Sequence, residues 1–457
     1  MRVRSMTIVL AAWIAAIAAS AGAQPAPQAA SSSAVNPGQQ SIDLGHSMQK
    51  VTEWKFHPGD DLRYAQPGFD DSSWQPMHVK GRANSHDPFF SADSFVPGWT
   101  ARGFPKLTGY AWYRTHLKLK QGDTDLWLEM PPNFDDAYQV YANGQLIGEF
   151  GKFRPNGVTA YYSRARKFQL PAVGAGQDLV LALRFYMEPA TPQWNFQAGG
   201  LHSAPVIGHA RTITLAQLRN NDVILHTMLA LLPIGVMLLL AGCFSLWVYF
   251  VDREERAYLW LTAAFLMDSV VMLGQFTGGL TYLLSYIPVE LLRDVVGLAL
   301  VPFFWLMFWA CWFRLRRLKL VVRVACVLML LEFCVFACLR DPLLGTVVPL
   351  GWAHTIGLIS VALRVGFALL LAAVTVQGIR QEPSEGWIAL PAILLFGVTQ
   401  FYTDLSVLGV PVTYFPWGIH VDVDMIAAFA LTLVVLGLVI RRFLRSQARQ
   451  QEMVHEL

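Results

Sequence analysis

The distribution of apolar residues divides the chain into two unlike halves. Residues 24–220 alternate short apolar runs with polar turn residues, whereas residues 221–440 are almost continuously apolar. Short alternating runs are typical of β-strands that bury one face, and long apolar runs are typical of transmembrane helices. The pattern therefore predicts a multidomain membrane protein with an all-β domain before an all-α bundle.

The β signals lie within residues 41–212. Leu126–Met130 and Leu179–Phe185 have the composition of strands, and Asn143-Gly144 separates two further strand-like runs. Asn-Gly is a strong hairpin signal because both residues tolerate positive φ. Many short strands with frequent turns predict a β-sandwich.

The apolar half contains seven segments that we interpret as transmembrane helices, since a span needs about 20 residues. They lie near residues 223–251, 257–280, 295–313, 320–339, 352–376, 387–408 and 424–440. The bundle is therefore predicted over residues 221–440.

The N-terminus has the features of a secretory signal peptide over residues 1–23. Arg2 and Arg4 precede an apolar stretch, and Ala21-Gly22-Ala23 fits a cleavage site. An uncleaved anchor is the alternative, and either one places the next residues outside the membrane. Residues 24–40 are rich in Pro, Ser, Ala and Gln, so we expect a disordered spacer.

The positions of the basic residues predict the same topology independently. Cytoplasmic loops carry an excess of Lys and Arg. With the N-terminus outside, the outside loops hold only Arg293 and Arg340, and the inside loops and tail hold Arg253, Arg256, Arg314, Arg316, Arg317, Lys319, Arg323, Arg380, Arg441, Arg442, Arg445 and Arg449. We expect a multi-pass protein of the bacterial inner membrane, with its N-terminal domain in the periplasm and its C-terminus in the cytoplasm.

Composition narrows the possible partners. Charged residues make up 15% of the chain and hydrophobic residues 54%, against about 25% charged in soluble proteins. The net charge of +3 comes with no basic tract, so no nucleic-acid partner is expected. All five cysteines lie in the apolar half, so the exported domain must fold without disulfides.

Three motifs in the exported domain carry a family resemblance. Phe69–Trp74, Trp112–Arg114 and Val140–Gly144 with Gly148 occur in that order. This resembles the jelly-roll sugar-binding domain of β-galactosidases and β-glucuronidases. The resemblance implies a galactose-binding-like jelly roll but little about the ligand, because that module is not the catalytic one in those enzymes.

Four residues of the exported domain are candidate ligand contacts: Trp99, Tyr113, Trp194 and Asn195. Sugars stack on aromatic faces and amides bind their hydroxyls. The alternative is that the aromatic residues pack in the core, where aromatic side chains contribute most.

Two acidic patterns could bind cations, although we predict no metal site. The acids Asp60/Asp61, Asp70/Asp71 and Asp135/Asp136 could bind Ca²⁺, but turn chemistry explains them equally well. His420, Asp422 and Asp424 alternate at the outer end of the last helix, where polar residues are common.

Four ionisable residues lie within or near the predicted spans: Asp268, Glu332, Arg364 and Asp404. Charges at membrane depth are costly and indicate function by default. We hypothesise that Arg364 pairs with Asp268 or with Glu332 and so holds one signalling state. A static packing pair is the alternative.

The order of signal peptide, jelly roll, seven helices and tail resembles the bacterial seven-transmembrane receptors with diverse intracellular signalling modules. Only residues 441–457 follow the helices, and they resemble the linker helix before a metal-dependent serine/threonine phosphatase domain. The resemblance implies a homodimeric sensor with a phosphatase, kinase or diguanylate cyclase output. We expect either a truncated chain or a separate cytoplasmic signalling partner. A basic helix bound to anionic membrane lipid is the alternative.

Three classes of function remain open. A receptor for an extracytoplasmic ligand, such as a carbohydrate, fits the whole architecture. A transporter is disfavoured because no paired halves with matching broken helices are visible. The third class is an exported glycan-binding or glycan-hydrolysing protein. The chain contains no G-x-S-x-G, H-E-x-x-H, P-loop or G-x-G-x-x-G motif that would indicate an enzyme. We therefore assign no catalytic residues and no cofactor.

Overall fold

A computed structural model describes most of the chain. The described residues are 39–43, 48–80, 96–119, 125–174, 177–189, 191, 197–339, 348–349, 352–407, 410–416 and 419–455. The predicted signal peptide, most of the predicted spacer, and Trp194, Asn195 and Arg340 lie outside them.

The N-terminal half is rich in β-structure, as the alternating pattern predicts. Short 3-10 helices occupy Leu62–Ala65 and Trp99–Arg102. The strands are β1 (Gln39–Ile42), β2 (Met48–Lys50), β3 (Glu53–Pro58), β4 (Gln75–His78), β5 (Gly109–Leu119), β6 (Leu126–Met130), β7 (Phe134–Asp135), β8 (Ala137–Ala142), β9 (Gln145–Phe150), β10 (Lys152–Arg154), β11 (Gly157–Thr159), β12 (Arg166–Gln169), β13 (Asp178–Met187), β14 (Gly200–Leu201) and β15 (Val206–His209).

The strands form two main sheets that share one apolar core. The larger sheet has the order β4-β3-β5-β13-β8-β9, with β1 parallel to β5, and the smaller has the order β12-β6-β15-β2. Phe56 and Tyr113 of the large sheet and Leu128 and Ile207 of the small sheet are at most 1% exposed in the same cluster. The two sheets therefore face each other as a sandwich.

The register of the large sheet explains why its strands are so apolar. Leu183 of β13 lies opposite Tyr113 of β5 and opposite Val140 of β8. All three side chains are buried, since alternate residues of neighbouring strands point to the same face.

The C-terminal half is helical. Its helices are α1 (Ala210–Met228), α2 (Leu231–Val251), α3 (Ala257–Leu280), α4 (Tyr286–Leu291), α5 (Leu298–Trp312), α6 (Leu318–Leu339), α7 (Ala353–Gln381), α8 (Pro383–Thr399), α9 (Tyr402–Val407) and α10 (Val423–His455); a π-helical stretch, Leu292–Gly297, joins α4 to α5, and a two-stranded ribbon of β16 (Thr413–Tyr414) and β17 (Val421–Asp422) precedes α10.

Within the described residues, six helices are long and apolar enough to cross a membrane. They are Ala210–Val251, Ala257–Leu280, Tyr286–Trp312, Leu318–Cys338, Thr355–Gln381 and Val423–Arg445. The predicted segment near 387–408 is divided instead, because α8 ends at Thr399 and α9 begins at Tyr402. With 17 residues, α8 is shorter than these six helices.

The first helical segment begins earlier than the sequence pattern suggests. We predict the bundle from residue 221, but α1 begins at Ala210 and packs on the small sheet. Its sequence mixes polar and apolar residues, so it does not read as a span by itself.

Close helix packing is built on glycines and tryptophans. A Cβ atom added at Gly235 or Gly242 of α2 would lie 2.8 or 2.9 Å from leucine side chains of α3, so glycine permits this approach. Trp305, Trp309 and Trp312 of α5 are fully buried in the centre of the bundle. The helices therefore form one packed unit.

Candidate functional site

The β domain is fastened to the bundle along α1. Thr214, Gln217 and Asn220 recur every three residues, so they share one face of this helix. Lys167 Nζ donates a hydrogen bond to Thr214 Oγ1 (2.6 Å), and Gln217 Nε2 donates to the Ala165 carbonyl oxygen (3.2 Å). Helix α1 is thus held to the small sheet by polar contacts before it leads into α2.

The third contact of this face involves a buried acid. Asn220 Nδ2 donates to Glu129 Oε1 (2.7 Å), and Glu129 is only 2% exposed. Burial raises the pKa of Glu129 to about 7, although the hydrogen bond from Asn220 opposes the shift. A group that changes charge near neutral pH therefore lies directly beneath α1.

A second attachment is made by an arginine of the β domain. Arg164 Nη2 donates to the carbonyl oxygen of Gly279 (2.6 Å) and approaches that of Thr281 (3.4 Å). These carbonyls lie at the C-terminal end of α3, where a cation is favoured by the helix dipole. The guanidinium carbon also lies 4.8 Å from the centre of the Tyr282 ring.

The same segment contacts α4. The Tyr286 backbone N–H donates to the Ala160 carbonyl oxygen (2.9 Å), and the Tyr162 hydroxyl donates to Glu290, which also pairs with Arg293. Burial, reinforced by the Glu290 carboxylate, raises the pKa of Tyr162, so its hydroxyl remains a donor. We use the term domain joint for three parts of the chain. They are segment 160–166, helix α1, and the C-terminal end of α3 together with α4, which segment 160–166 contacts.

A cluster of charges lies on the outer face of the large sheet, around the Asp-Asp-Ser-Ser-Trp motif. Asp71 accepts from Lys55 Nζ (2.8 Å) and Arg114 Nε (2.8 Å), and its Oδ2 lies 3.0 Å from His116 Nε2. Burial would raise the pKa of Asp71, but His116 and Lys55 outweigh it and hold the pKa below its usual value. This motif fastens the segment that contains it to the sheet.

The structure places two of the predicted ligand contacts in the core. Trp99 is 0% exposed and Tyr113 is 1% exposed, and their rings pack against Phe56. Neither side chain faces a groove, so the expectation of exposed aromatic contacts does not hold for them. Trp194 and Asn195 lie outside the described residues.

A polar cluster that sequence reasoning missed lies where β7 pairs with β14. His202 Nε2 lies 2.8 Å from Asp135 Oδ2, which also accepts from the Gly199 backbone N–H (2.7 Å). Burial would lower the pKa of His202, but the Asp135 carboxylate outweighs it and raises that pKa. The neighbouring Asp136 is buried and accepts from Thr191 Oγ1 (2.7 Å). The Asp-Asp pair was the only sequence signal for this cluster.

The other acidic patterns mostly bind side chains of the protein. In the described part of the chain, no group of three His, Cys, Asp or Glu residues is placed to hold a metal ion. The contacts are Asp60 with Arg184 (2.6 Å), Asp61 with Arg63 (2.6 Å) and Asp422 with His420 (3.0 Å).

The hypothesis that Arg364 pairs with Asp268 or Glu332 is wrong. Arg364 Nη1 instead donates to Asp404 Oδ2 and to the Gln400 carbonyl oxygen, both at 2.8 Å. The turn between α8 and α9 brings these oxygens to α7, and the sequence gives no sign of that turn.

The other two of the four predicted residues, Glu332 and Asp268, accept hydrogen bonds from neutral donors. Glu332 Oε1 accepts from the Ser360 hydroxyl (2.9 Å), and Asp268 Oδ2 accepts from the Trp305 indole N–H (3.0 Å). The four predicted intramembrane residues therefore do not form a single cluster of ion pairs.

The end of the bundle opposite the domain joint is held together by Arg442. This residue of α10 pairs with Glu385 of α8 (3.0 Å) and lies 3.6 Å from Glu255, which precedes α3. Its guanidinium carbon lies 3.7 Å from the centre of the Trp312 ring, and Arg314 also pairs with Glu255 (2.8 Å). Helix α3 thus connects the domain joint at its C-terminal end to this Arg442 cluster at its N-terminal end.

Comparisons with known proteins agree with part of the resemblance. No known protein-family profile matches the chain. A stretch of 118 residues, 24% of the chain, is 28% identical to β-galactosidase BoGH2A of Bacteroides ovatus and corresponds to 12% of that enzyme. The chain therefore spans a small fraction of this curated relative.

Solved structures give the same relationship at low similarity. A Bacteroides uniformis β-glucuronidase is 20% identical over 35% of this chain and 18% of its own, with a TM-score of 0.25. The exo-chitosanase CsxA of Amycolatopsis orientalis is 20% identical over 35% of this chain and 20% of its own, with a TM-score of 0.24. The protein is thus a membrane protein by its helices, with a β domain before them and a 118-residue stretch that is similar to part of a β-galactosidase.

Proposed function

We propose that the protein is a transmembrane sensor of the bacterial inner membrane. Its β domain would bind a ligand in the periplasm, and its helices would pass the signal to a cytoplasmic output. The domain joint is the main support for a sensor. If the helices only anchored the β domain in the membrane, the β domain would need no contacts with three of them.

The proposed topology has seven spans, with α8 as the sixth of them in chain order. Helix α8 begins with Pro383 at its first turn and ends next to Gln400, whose carbonyl oxygen accepts from Arg364. The Arg442 cluster and most of the basic residues of the helical half lie at the end of α3 away from the β domain, which supports a cytoplasmic location for that end. We further propose that the sandwich is a jelly roll.

The proposed ligand is a carbohydrate. The distant relationship to β-galactosidase supports this class. Since Trp99 and Tyr113 are buried, we place the ligand site near Asp135, and Trp194 and Asn195 remain proposed ligand contacts. The Asp135 carboxylate is 18% exposed, and a carboxylate of this kind can accept hydrogen bonds from sugar hydroxyl groups.

The proposed signal passes through α3 and α10. Ligand binding would change how Arg164 caps the C-terminal end of α3, and the shift would reach Glu255 at the other end of the same helix. Glu255 and Glu385 hold Arg442, so α10 would rotate or shift with them. Residues 441–455 continue α10 without a break, and in a homodimer they would carry this movement to the output module.

The test uses the full chain in nanodiscs with a panel of β-galactosides and β-glucuronides. Binding is measured by titration, and movement of α10 by a fluorescent probe beyond Arg445. A binding sugar should change the probe signal, and Arg164→Gln should abolish that change while leaving affinity within about twofold. A sugar that binds without moving the probe would overturn the sensor proposal.

A membrane-anchored glycan-binding protein is the second candidate, favoured by the β-galactosidase relationship alone. It predicts binding in the same titration with no change at α10. A transporter would instead move the sugar into sealed vesicles.

A further inference from the structure

An open groove runs along the last turns of α7, at the same end of the bundle as the Arg442 cluster. Its volume is about 650 Å³, and its lining residues are Arg316, Ala372, Ala373, Val376, Gln377, Arg380 and Gln381. The floor consists of small apolar side chains, all exposed, while the polar side chains are gathered towards the end of the helix. The groove thus has an apolar part and a cationic part.

The groove exists because the loop after α5 comes very close to α7. A Cβ atom added at Gly378 would lie 2.4 Å from the Phe313 ring, so only glycine permits this contact. Arg316, which follows Phe313 in this loop, and Arg380 of α7 both line the groove. The short side chains of Ala372 and Ala373 line its apolar part.

The two arginines of the groove are exposed and, within the described residues, have no ion pair or hydrogen bond. Their neighbours differ, since Arg314 pairs with Glu255 and Arg442 with Glu385. The nearby acid Glu382 acts electrostatically on Arg314. Within the described residues, Arg316 and Arg380 therefore form no ion pair with these acids.

General rules explain each arginine separately but not their arrangement. Arg380 favours the C-terminal end of a helix through the dipole, and Arg316 fits the excess of basic residues in cytoplasmic loops. Neither rule requires the two guanidinium groups to flank one apolar groove.

We propose that this groove binds one acidic phospholipid. The phosphate would lie between Arg316 and Arg380, the amides of Gln377 and Gln381 would donate to its headgroup, and an acyl chain would follow Ala372, Ala373 and Val376. Basic pockets between helices on the cytoplasmic side suit such headgroups, and the volume suits a small-molecule site. The proposal requires that these helices span a membrane but not that the protein is a sensor.

The test titrates phosphatidylglycerol into phosphatidylcholine nanodiscs that contain the full chain, and counts the retained phosphatidylglycerol by native mass spectrometry. Each arginine near an anionic headgroup strengthens binding roughly fivefold. The double variant Arg316→Gln/Arg380→Gln should therefore weaken retention at least about tenfold.

The matched control removes two other exposed charges close to Arg316 in the sequence, in Arg317→Gln/Lys319→Gln, and should change retention less than about twofold. Ala373→Phe fills the groove without changing charge and should also reduce retention. Equal losses in the two charge variants would overturn the proposal in favour of unspecific surface attraction. Complete competition by inorganic phosphate would overturn it in favour of a free-phosphate site.

Discussion

Glu129 offers a quantitative test of the attachment of α1, because its substitution by glutamine removes a charge and keeps a hydrogen bond. In Glu129→Gln, the side-chain oxygen can still accept from Asn220, so the contact between β6 and α1 is preserved. What disappears is the free energy needed to ionise a carboxyl group that is 2% exposed.

The pKa of Glu129 is raised by burial from 4.5 to about 7. The folded state therefore holds the proton more tightly than the unfolded state, and the stability of the wild type falls as pH rises through this interval. At about 1.4 kcal/mol per unit of pKa, ionisation costs about 3 kcal/mol above pH 7 and nothing below the unfolded pKa. Glu129→Gln should remove this cost.

Hydrogen exchange of the amides of β6 and α1 in the full chain measures the free energy of their local opening. The variant should gain up to about 3 kcal/mol at pH 8 and lose the decline that the wild type shows between pH 5 and pH 7. Glu149→Gln, the same substitution on the partly exposed β9, should change neither. A wild type with flat protection across this range would refute the reasoning.

Three other substitutions test the remaining contacts. Arg364→Met leaves Asp404 without its cation and should lower the free energy of unfolding of the bundle by about 3–5 kcal/mol, measured by thermal or denaturant unfolding. Adding Asp404→Leu should recover most of that loss. The absence of any recovery would contradict the ion pair. Trp99→Ala should destabilise the β domain by about 3–5 kcal/mol, measured by urea unfolding, because the side chain is 0% exposed; retained stability with weaker glycan binding would instead restore its role as a ligand contact. Asp71→Asn leaves buried Arg114 uncompensated and should cost about 3 kcal/mol or more in the same urea assay, whereas an unchanged midpoint would contradict this.

Local backbone chemistry was predictable from the sequence. The Asn143-Gly144 turn joins β8 to β9, with φ of 49° and 84° at its two residues. Leu126–Met130 is β6 with the bounds that alternation predicts. The apolar runs likewise predicted the helices of membrane-spanning length, because length and composition decide that property.

Burial on the outer face of a sheet was not predictable. Alternation assigns Trp112 and Tyr113 to opposite faces of β5, and Tyr113 was a candidate ligand contact. Both are buried, since residues around Tyr64 and Trp74 cover the outer face of the large sheet over Trp112. Nothing in the local pattern of β5 reveals a cover that is contributed by a distant segment.

Contacts across long distances in the chain also escaped prediction. Asn220 and Glu129 are 91 residues apart, and Arg364 and Asp404 are 40 residues apart. Which acid meets which base depends on how the helices are rotated and on turns such as the one between α8 and α9. The sequence shows that such charges need partners, but it does not choose among them.

The most direct measurement of the proposed path is hydrogen exchange at the C-terminal end of α10 after a change in the domain joint. Arg164→Gln removes the cap on α3, and Arg154→Gln makes the same substitution at an exposed site on β10. If the joint is coupled to α10, Arg164→Gln alone should speed exchange over residues 441–455 severalfold in the full chain. Faster exchange confined to residues 160–166 and 279–286, with residues 441–455 unchanged, would contradict transmission through the bundle.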